Sequence, residues 1–548
     1  MFKGHPKALY ALALANTGER FGYYTMLAVF ALFLRANFGL DAGVAGAIYS
    51  TFLGLVYFMP LLGGILADKF GYGKMVKLGI SVMFIGYLLL SLPLGGVDTP
   101  ETTKLAMAAM LGALVFIALG TGLFKGNLQV MVGNLYDDPK YADKRDSAFS
   151  LFYMAINIGA LFAPTAAVEI KRWAQESLGF SSNDAYHFSF AVACVALIIS
   201  MAIYFACQKW YAHVEGGKKG AKAAAVVEDN LTPAETKARI VALCLVFAVV
   251  IFFWMAFHQN GLTLTYFADE FTVKEAFGLQ SMAFSVWNLV LVIVAVYAGF
   301  SFFQSEGGKA KAVSATVLAV SVIYLCFKGM IVADVINGYE LLNNLANGLN
   351  LSWDGVKWLA NILGVDQDSV AVNAPIFQQF NPFYVVALTP VSLAIFGALA
   401  KRGKEPSAPR KIAYGMLVAA VGFAVIAFGS VGLPTPDAQA EVVKAGGEAT
   451  LVSANWLIMT YLVLTFAELL LSPMGISFVS KVAPPKYKGM MMGGWFVATA
   501  IGNSLVAVGG FLWGGISLTI VWSVFIVLCL LSALFMFVMM KRLESATK

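Results

Sequence analysis

Long apolar stretches separated by short polar connections dominate the pattern of this chain. Runs of about twenty or more apolar residues cross a bilayer as helices. The pattern predicts helices at about 8–38, 42–66, 73–94, 104–133, 146–169, 187–208, 238–266, 281–303, 311–335, 377–400, 410–432, 453–480, 487–513 and 516–541. Several exceed the length needed to span, so tilt or protrusion is expected. The first run lacks a small-residue cleavage site and continues into polar-aromatic helix, which reads as a permanent span.

The connections test this reading. With the N-terminus inside, Lys and Arg concentrate in the inside segments: Lys69 and Lys74, Lys140 to Arg145, Lys401 to Lys411, Lys481 to Lys488, and Lys541 with Arg542. That bias fixes orientation and puts both termini in the cytoplasm. The one long inside connection, 211–237, divides an N-terminal six-helix bundle (1–210) from a C-terminal bundle (238–548), with room for a surface helix in its alanine-rich part. Six helices precede it and eight follow, against six plus six for a two-bundle secondary transporter. The hairpin 281–335 is the expected extra pair, being poor in charged motifs, and Lys328 in it is read as snorkelling to the outer side. The outer segment 336–376 has amphipathic spacing around Trp353, Val356, Leu359 and Ile362, which suits an interfacial or capping helix, the alternative being an irregular loop.

Composition agrees: of 548 residues, 59% are hydrophobic and 12% charged, which excludes an ordinary soluble domain. The fold class is all-α and polytopic. Cys194, Cys207, Cys244, Cys326 and Cys529 lie in apolar helices without a CxxC pair, so neither disulfide nor metal is implied, and no cofactor is expected. The net charge of +6 is no nucleic-acid signal, because the basic residues sit in short loops. No HExxH motif and no nucleophile–base spacing supports an enzyme. The lipid bilayer is the expected surrounding, with the monomer as the functional unit.

Candidate chemistry lies in embedded polar residues, which mark a pathway or site by default. Asn16, Arg20, Tyr23 and Leu27 share a face of the first helix, with Glu19 and Tyr24 beside it. Lys125 is flanked by glycines in GTGLFKGN. Glu468 precedes Pro473 in FAELLLSP, and Pro473 is expected to open the helix and free backbone carbonyls; Asn381 and Pro382 are expected to do the same at the start of 377–400. A cation from one bundle and a carboxylate from the other suit a bridging zwitterion. Ion pairing that merely fixes helix packing is the plain alternative. His258, in FFWMAFHQNG, is either a hydrogen-bonded core residue or a reversible proton carrier.

These residues resemble the proton-dependent oligopeptide transporter family of the major facilitator superfamily. Glu19, Arg20, Phe21, Tyr23 and Tyr24 match the family's first-helix signature, and GGILADKFGYG (63–73, with Asp68) its turn after helix two. Lys125 matches the helix-four lysine. The fifth-helix pattern is met in full by 152–159, including Tyr153 and Asn157. FFWMAFHQN, FNPFY (380–384), ELLLSPMGIS (468–477) and GGWF (493–496) match later helices. The resemblance implies import of di- and tripeptides with protons by alternating access across a bacterial inner membrane. It implies that Glu468, Asn157 and Asn381 face the peptide's amino end and Lys125 its carboxylate. Tyr24, Tyr57 and Trp495 would line side-chain pockets or gates, and Tyr23, His258 and Ser472 complete the expected contacts.

The departures cluster. The family's first signature glutamate is Asn16 here, the arginine usual seven residues after Arg20 is Leu27, and the helix-seven acid is His258. The extra hairpin follows the helix-seven motif instead of preceding it. Proton coupling is therefore expected to fall on Glu19 and His258, with Arg20 and Lys125. A shifted substrate, such as a longer or modified peptide or another small zwitterion, is the alternative.

Overall fold

The computed structural model describes residues 4–93, 100–216, 231–365 and 369–546. Among them, fourteen helices are long and apolar enough to cross a membrane. The first six are α1 (Lys7–Phe38), α2 (Ala42–Phe70), α3 (Tyr72–Ser91), α4 (Pro100–Asn134), α5 (Arg145–Glu176) and α6 (Ala185–Ala206). The span α7 (Pro233–Phe271) follows, then the hairpin α8 (Val286–Gln304) and α9 (Gly308–Val332). The last five are α10 (Phe380–Lys401), α11 (Ala408–Gly429), α12 (Asn455–Val482), α13 (Lys488–Ser504) and α14 (Leu518–Ser545).

Local chemistry sets the helix ends. The Asp41 side chain accepts the Val44 N–H at the start of α2, and α1 ends on Gly39 at φ 61°, which glycine adopts without strain. A capping box of Thr232 and Glu235 with Pro233 at the first helical position opens α7.

Helix α1 packs on α5 and α6, α3 and α2 on α4, while α11 packs on α12 and α14, and α7 on α13. The seam between these groups runs along α2 and α13, where small residues let backbones approach. A Cβ on Gly54 would lie 2.1 Å from Ser504 Oγ, and one on Gly510 would lie 2.6 Å from the Ala42 carbonyl oxygen. The hairpin α8–α9 packs on itself and on α10, and its helices are the least buried of the eight spans that follow α6, apart from α10. Apolar side chains such as Trp287, Val320 and Ile323 stand exposed on it, which is how a lipid-facing surface looks.

Several expectations need correction. The span 238–266 is longer and broken: Pro233–Phe257 passes through a 3-10 turn, His258–Gly261, into Thr263–Phe271. The turn lets the Asn260 carbonyl leave the helix ladder to accept from Tyr461 Oη and Thr265 Oγ1. Span 487–513 likewise divides into Lys488–Ser504 and Ala507–Leu512. Conversely, Pro473 does not open α12, which runs unbroken from Asn455 to Val482. The helix of Asn381 begins at Phe380, so Pro382 falls in its first turn, where a missing N–H costs nothing.

The outer segment is not an irregular loop. It forms Gly338–Gly348 and Trp353–Leu363, whose Leu342, Ala360 and Leu363 make a small core with Ile331 of α9. Two-residue strands, Glu275–Ala276 and Val370–Ala371, staple it to the end of α7. Lys328 reaches this layer, its Nζ donating to the Ile362 carbonyl at 2.8 Å. Of the 211–237 connection, residues 217–230, including the alanine-rich part, lie outside the described residues. Its start is tied to the α2–α3 turn, where Glu215 pairs with Lys77 at 3.1 Å and accepts from the Gly73 N–H.

Candidate functional site

Helix α1 enters the site through Glu19 and Arg20, both buried. Adjacent helical residues do not face one another, yet the long arginine wraps back. Its Nε and Nη2 donate to the two carboxylate oxygens of Glu19, each at 2.5 Å. The guanidinium carbon also sits 4.7 Å from the Tyr23 ring centre. The pair is thus neutralised within a single helix. Around it, the Asn16 Nδ2 and the Tyr23 hydroxyl are buried without a hydrogen-bond partner among the described residues. Leu27, one turn beyond Tyr23, is packed into the core.

Lys125 on α4 behaves differently. Its Nζ lies 4.2 Å from the centre of the Tyr57 ring, a cation–π contact supplied by α2. It has no carboxylate partner among the described residues. Glu468 on α12 is the mirror case. Its Oε2 accepts from Asn381 Nδ2 at 2.9 Å, the same amide also bonds Thr465 Oγ1 at 3.1 Å, and no cation pairs with it among the described residues. Tyr24 and Tyr57 are each within electrostatic range of both Arg20 and Glu468, and Tyr57 is also the ring that Lys125 meets. Tyr153 of α5 also lies near Glu468, Tyr24 and Tyr57, yet is nearly half exposed at 46%. Exposed amid these buried groups, Tyr153 marks a cleft between the two helix groups.

That cleft is closed on the face opposite the termini. The Thr165 hydroxyl donates to Gln379 Oε1 at 3.0 Å, joining α5 to the 3-10 turn Ala374–Gln379. The neighbouring Gln378 amide bonds the Ala28 carbonyl of α1 at 3.2 Å and Thr265 at 3.1 Å. Farther out, Arg35 of α1 forms an ion pair with Glu270 of α7, and Trp513 Nε1 donates to the same carboxylate at 3.0 Å. Sequence reasoning missed this latch. Arg35 and Glu270 sit at helix ends, where single charges are ordinary, and only their partnership across 235 residues makes them notable. Asn503 and Thr465 were missed because, uncharged in apolar helices, they become notable only through their partners His258 and Asn381.

His258 starts the 3-10 turn of α7. Its Nδ1 is in hydrogen-bond contact with Asn503 Oδ1 at 2.5 Å. The ring stands 5.1 Å from Trp254 and 6.0 Å from Tyr57. The histidine therefore meets the Tyr57–Lys125 side of the cleft, and no contact joins it to Glu19 among the described residues. Asn157 turns back on its own helix, donating to the Tyr153 carbonyl at 3.0 Å. Ser472 is half-buried one turn past Glu468. Trp495 is 3% exposed, and its ring end lies 1.9 Å from where a Cβ of Gly475 would be. The indole fills the space that glycine leaves on α12.

Two helix groups that meet along a glycine-lined seam, with opposite unpaired charges facing a cleft sealed at one face, define a membrane-spanning transporter of the major facilitator fold. The POT family model matches residues 74–232 and 359–509, more than half the chain, and the protein belongs to that family. The first-helix signature and all of α7 through the outer helix Gly338–Gly348 fall outside the matched residues. The uncharacterised transporter YclF of Bacillus subtilis (strain 168) is 28% identical over 530 residues, covering 92% of this chain and 88% of YclF. Dipeptide and tripeptide permease A of Cronobacter turicensis is 27% identical over 506 residues, covering 92% of this chain and 83% of the permease. Among solved structures, a mutant of the peptide transporter POT superposes with TM-score 0.68 at 23% identity, covering 100% and 97% of the two chains. A POT family transporter in complex with 5-aminolevulinic acid gives 0.67 at 20% identity, covering 100% and 98%.

Proposed function

We propose that this protein imports di- and tripeptides together with protons across a bacterial cytoplasmic membrane, by alternating access of its two helix bundles, 1–210 and 238–548. The observation that carries the reading is the pair of unpaired embedded charges, Lys125 and Glu468, one from each bundle and both near Tyr57. A lone charge in a bundle interior costs several kcal/mol, so a protein keeps two of them apart only for a partner that arrives. A zwitterionic peptide supplies both partners: its carboxylate meets Lys125, and its ammonium meets Glu468 beside Asn381. The aromatic walls accept varied side chains without reading them. With Lys and Arg concentrated on the termini side, that side is cytoplasmic, so the sealed face is outward and the cleft opens inward.

Proton coupling falls on His258 on this reading. Glu19 is already held bidentately by Arg20, whereas His258 stands at the open Tyr57–Lys125 side as an imidazole, a group that can take up and release a proton. A cationic His258 would join Lys125 in holding the peptide carboxylate, filling the part of the arginine that is Leu27 here. Leu27 also favours one variation, a substrate whose carboxyl end carries apolar bulk. The test is uptake of a di- and tripeptide panel by proteoliposomes, with and without an inward proton gradient. Concentrative uptake only with the gradient is expected; gradient-independent uptake, or none, overturns the reading.

A further inference from the structure

The cleft does not account for a second, roomy cavity, which lies elsewhere. A space of about 1290 Å³ opens at the outer end of the hairpin α8–α9, beneath the helices Gly338–Gly348 and Trp353–Leu363. Its chemistry has three parts. Lys328 projects into it half-buried, bonded only to the Ile362 carbonyl and without a carboxylate partner among the described residues. Asp334 lies one and a half turns farther on, also without an ion-pair partner there, at φ 55°, a conformation that non-glycine residues rarely hold. Trp287 and Trp358 line the wall and are 68% and 76% exposed. Below it, α9 presents Val320 and Ile323, exposed at 61% and 66%, as apolar surface.

We infer that this cavity is a binding site for one outer-leaflet phospholipid of the phosphatidylethanolamine class. Lys328 keeps two N–H donors after the Ile362 bond, enough for a phosphate oxygen. The Asp334 carboxylate accepts from the primary ammonium, and the indoles flank the headgroup at the depth where tryptophan collects at membrane interfaces. The acyl chains run down the exposed face of α9. A headgroup with phosphate alone leaves Asp334 opposite an anion, and a trimethylated ammonium offers the carboxylate no N–H, so both bind less well. The site sits where the hairpin touches the opposite bundle, since Trp287 meets Phe162 of α5 edge-on at 5.6 Å. Lipid bound there abuts a contact that must shift when the bundles rock.

The test is native mass spectrometry of the full-length protein in detergent, with phosphatidylethanolamine, phosphatidylcholine or phosphatidylglycerol of matched chains. One adduct retained preferentially for phosphatidylethanolamine is expected. Loss of one charge-assisted contact should weaken it about tenfold in Lys328→Gln and in Asp334→Asn, and Asp334→Asn should also erase the preference over phosphatidylcholine. Equal retention of the three lipids by the wild type overturns the inference, as does unchanged retention in both variants. Displacement of the lipid by equimolar soluble phosphoethanolamine overturns the lipid assignment. Asp334→Asn preserves the Lys328–Ile362 bond, so it stands as a test even where Lys328→Gln loosens the outer layer. Adduct retention is read without transport, so it fails or holds independently of the peptide reading.

Discussion

Replacing Glu468 by Gln removes one negative charge and little else. The Asn381 amide that bonds Glu468 Oε2 at 2.9 Å still finds an oxygen there, and the same amide keeps its bond to Thr465. What disappears is the charge-assisted contact to a peptide ammonium, worth about 1.5–3 kcal/mol. At about 2 kcal/mol, with 1.36 kcal/mol per tenfold, the concentration for half-maximal uptake should rise about thirtyfold. The assay is counterflow of dialanine in proteoliposomes, which needs no proton gradient and so separates binding from energisation. N-acetylated dialanine closes the cycle, because acetylation removes the ammonium. It should cost the wild type about as much as the substitution does, and cost Glu468→Gln little more. If acetylation penalises the variant as heavily as the wild type, Glu468 does not face the amino end, and the assignment of the two poles fails.

Lys125→Gln should respond to the other pole: C-terminal amidation should weaken dialanine in the wild type and leave the variant nearly unaffected, as read by the same counterflow. His258→Ala should flatten the pH dependence of gradient-driven uptake while counterflow persists; gradient-driven uptake with an unchanged pH profile would remove the histidine from coupling. Gly475→Ala places a methyl group into the Trp495 ring, and overpacking of this kind costs about 1–3 kcal/mol, so the unfolding temperature in detergent should drop with the peptide profile unaltered in the surviving fraction. Arg35→Ala should loosen the outer latch to Glu270 and Trp513, raising labelling of a cysteine introduced at Thr165 by an outside, membrane-impermeant thiol reagent.

Much of the architecture was legible because lipid restricts the options. With no water to satisfy backbone groups, an apolar run of sufficient length must become a helix, and fourteen such runs gave fourteen spans. Hydrophobicity does not report interruptions. The turn at His258–Gly261 depends on the Asn260 carbonyl finding Tyr461 across 201 residues, which no window of sequence contains. Pro473 misled in the other direction, since a proline signals a possible break and tertiary packing decides whether it occurs. Within the site, charge located the right residues but not their states. Glu19 and Arg20 drew attention equally with Lys125 and Glu468, and only geometry separates a pair satisfied by itself from charges that wait for partners. Trp495 shows the same limit: only the fold reveals that its ring fills the space Gly475 leaves on α12.

The internal neutralisation of Glu19 by Arg20 bears on how the membrane voltage acts. A charge moved across the whole field gains about 2.3 kcal/mol per 100 mV, so the voltage drives only the net charge that moves. The bidentate pair travels with α1 as a dipole of no net charge. Lys125 and Glu468 offset one another in the empty carrier, and a zwitterionic peptide between them adds nothing to the sum. Each proton carried in is then the sole charge translocated per cycle, and the resting potential drives uptake through it alone. Current measured per dialanine taken up would therefore count protons directly, whereas a cationic or anionic dipeptide would shift the current by its own whole charge.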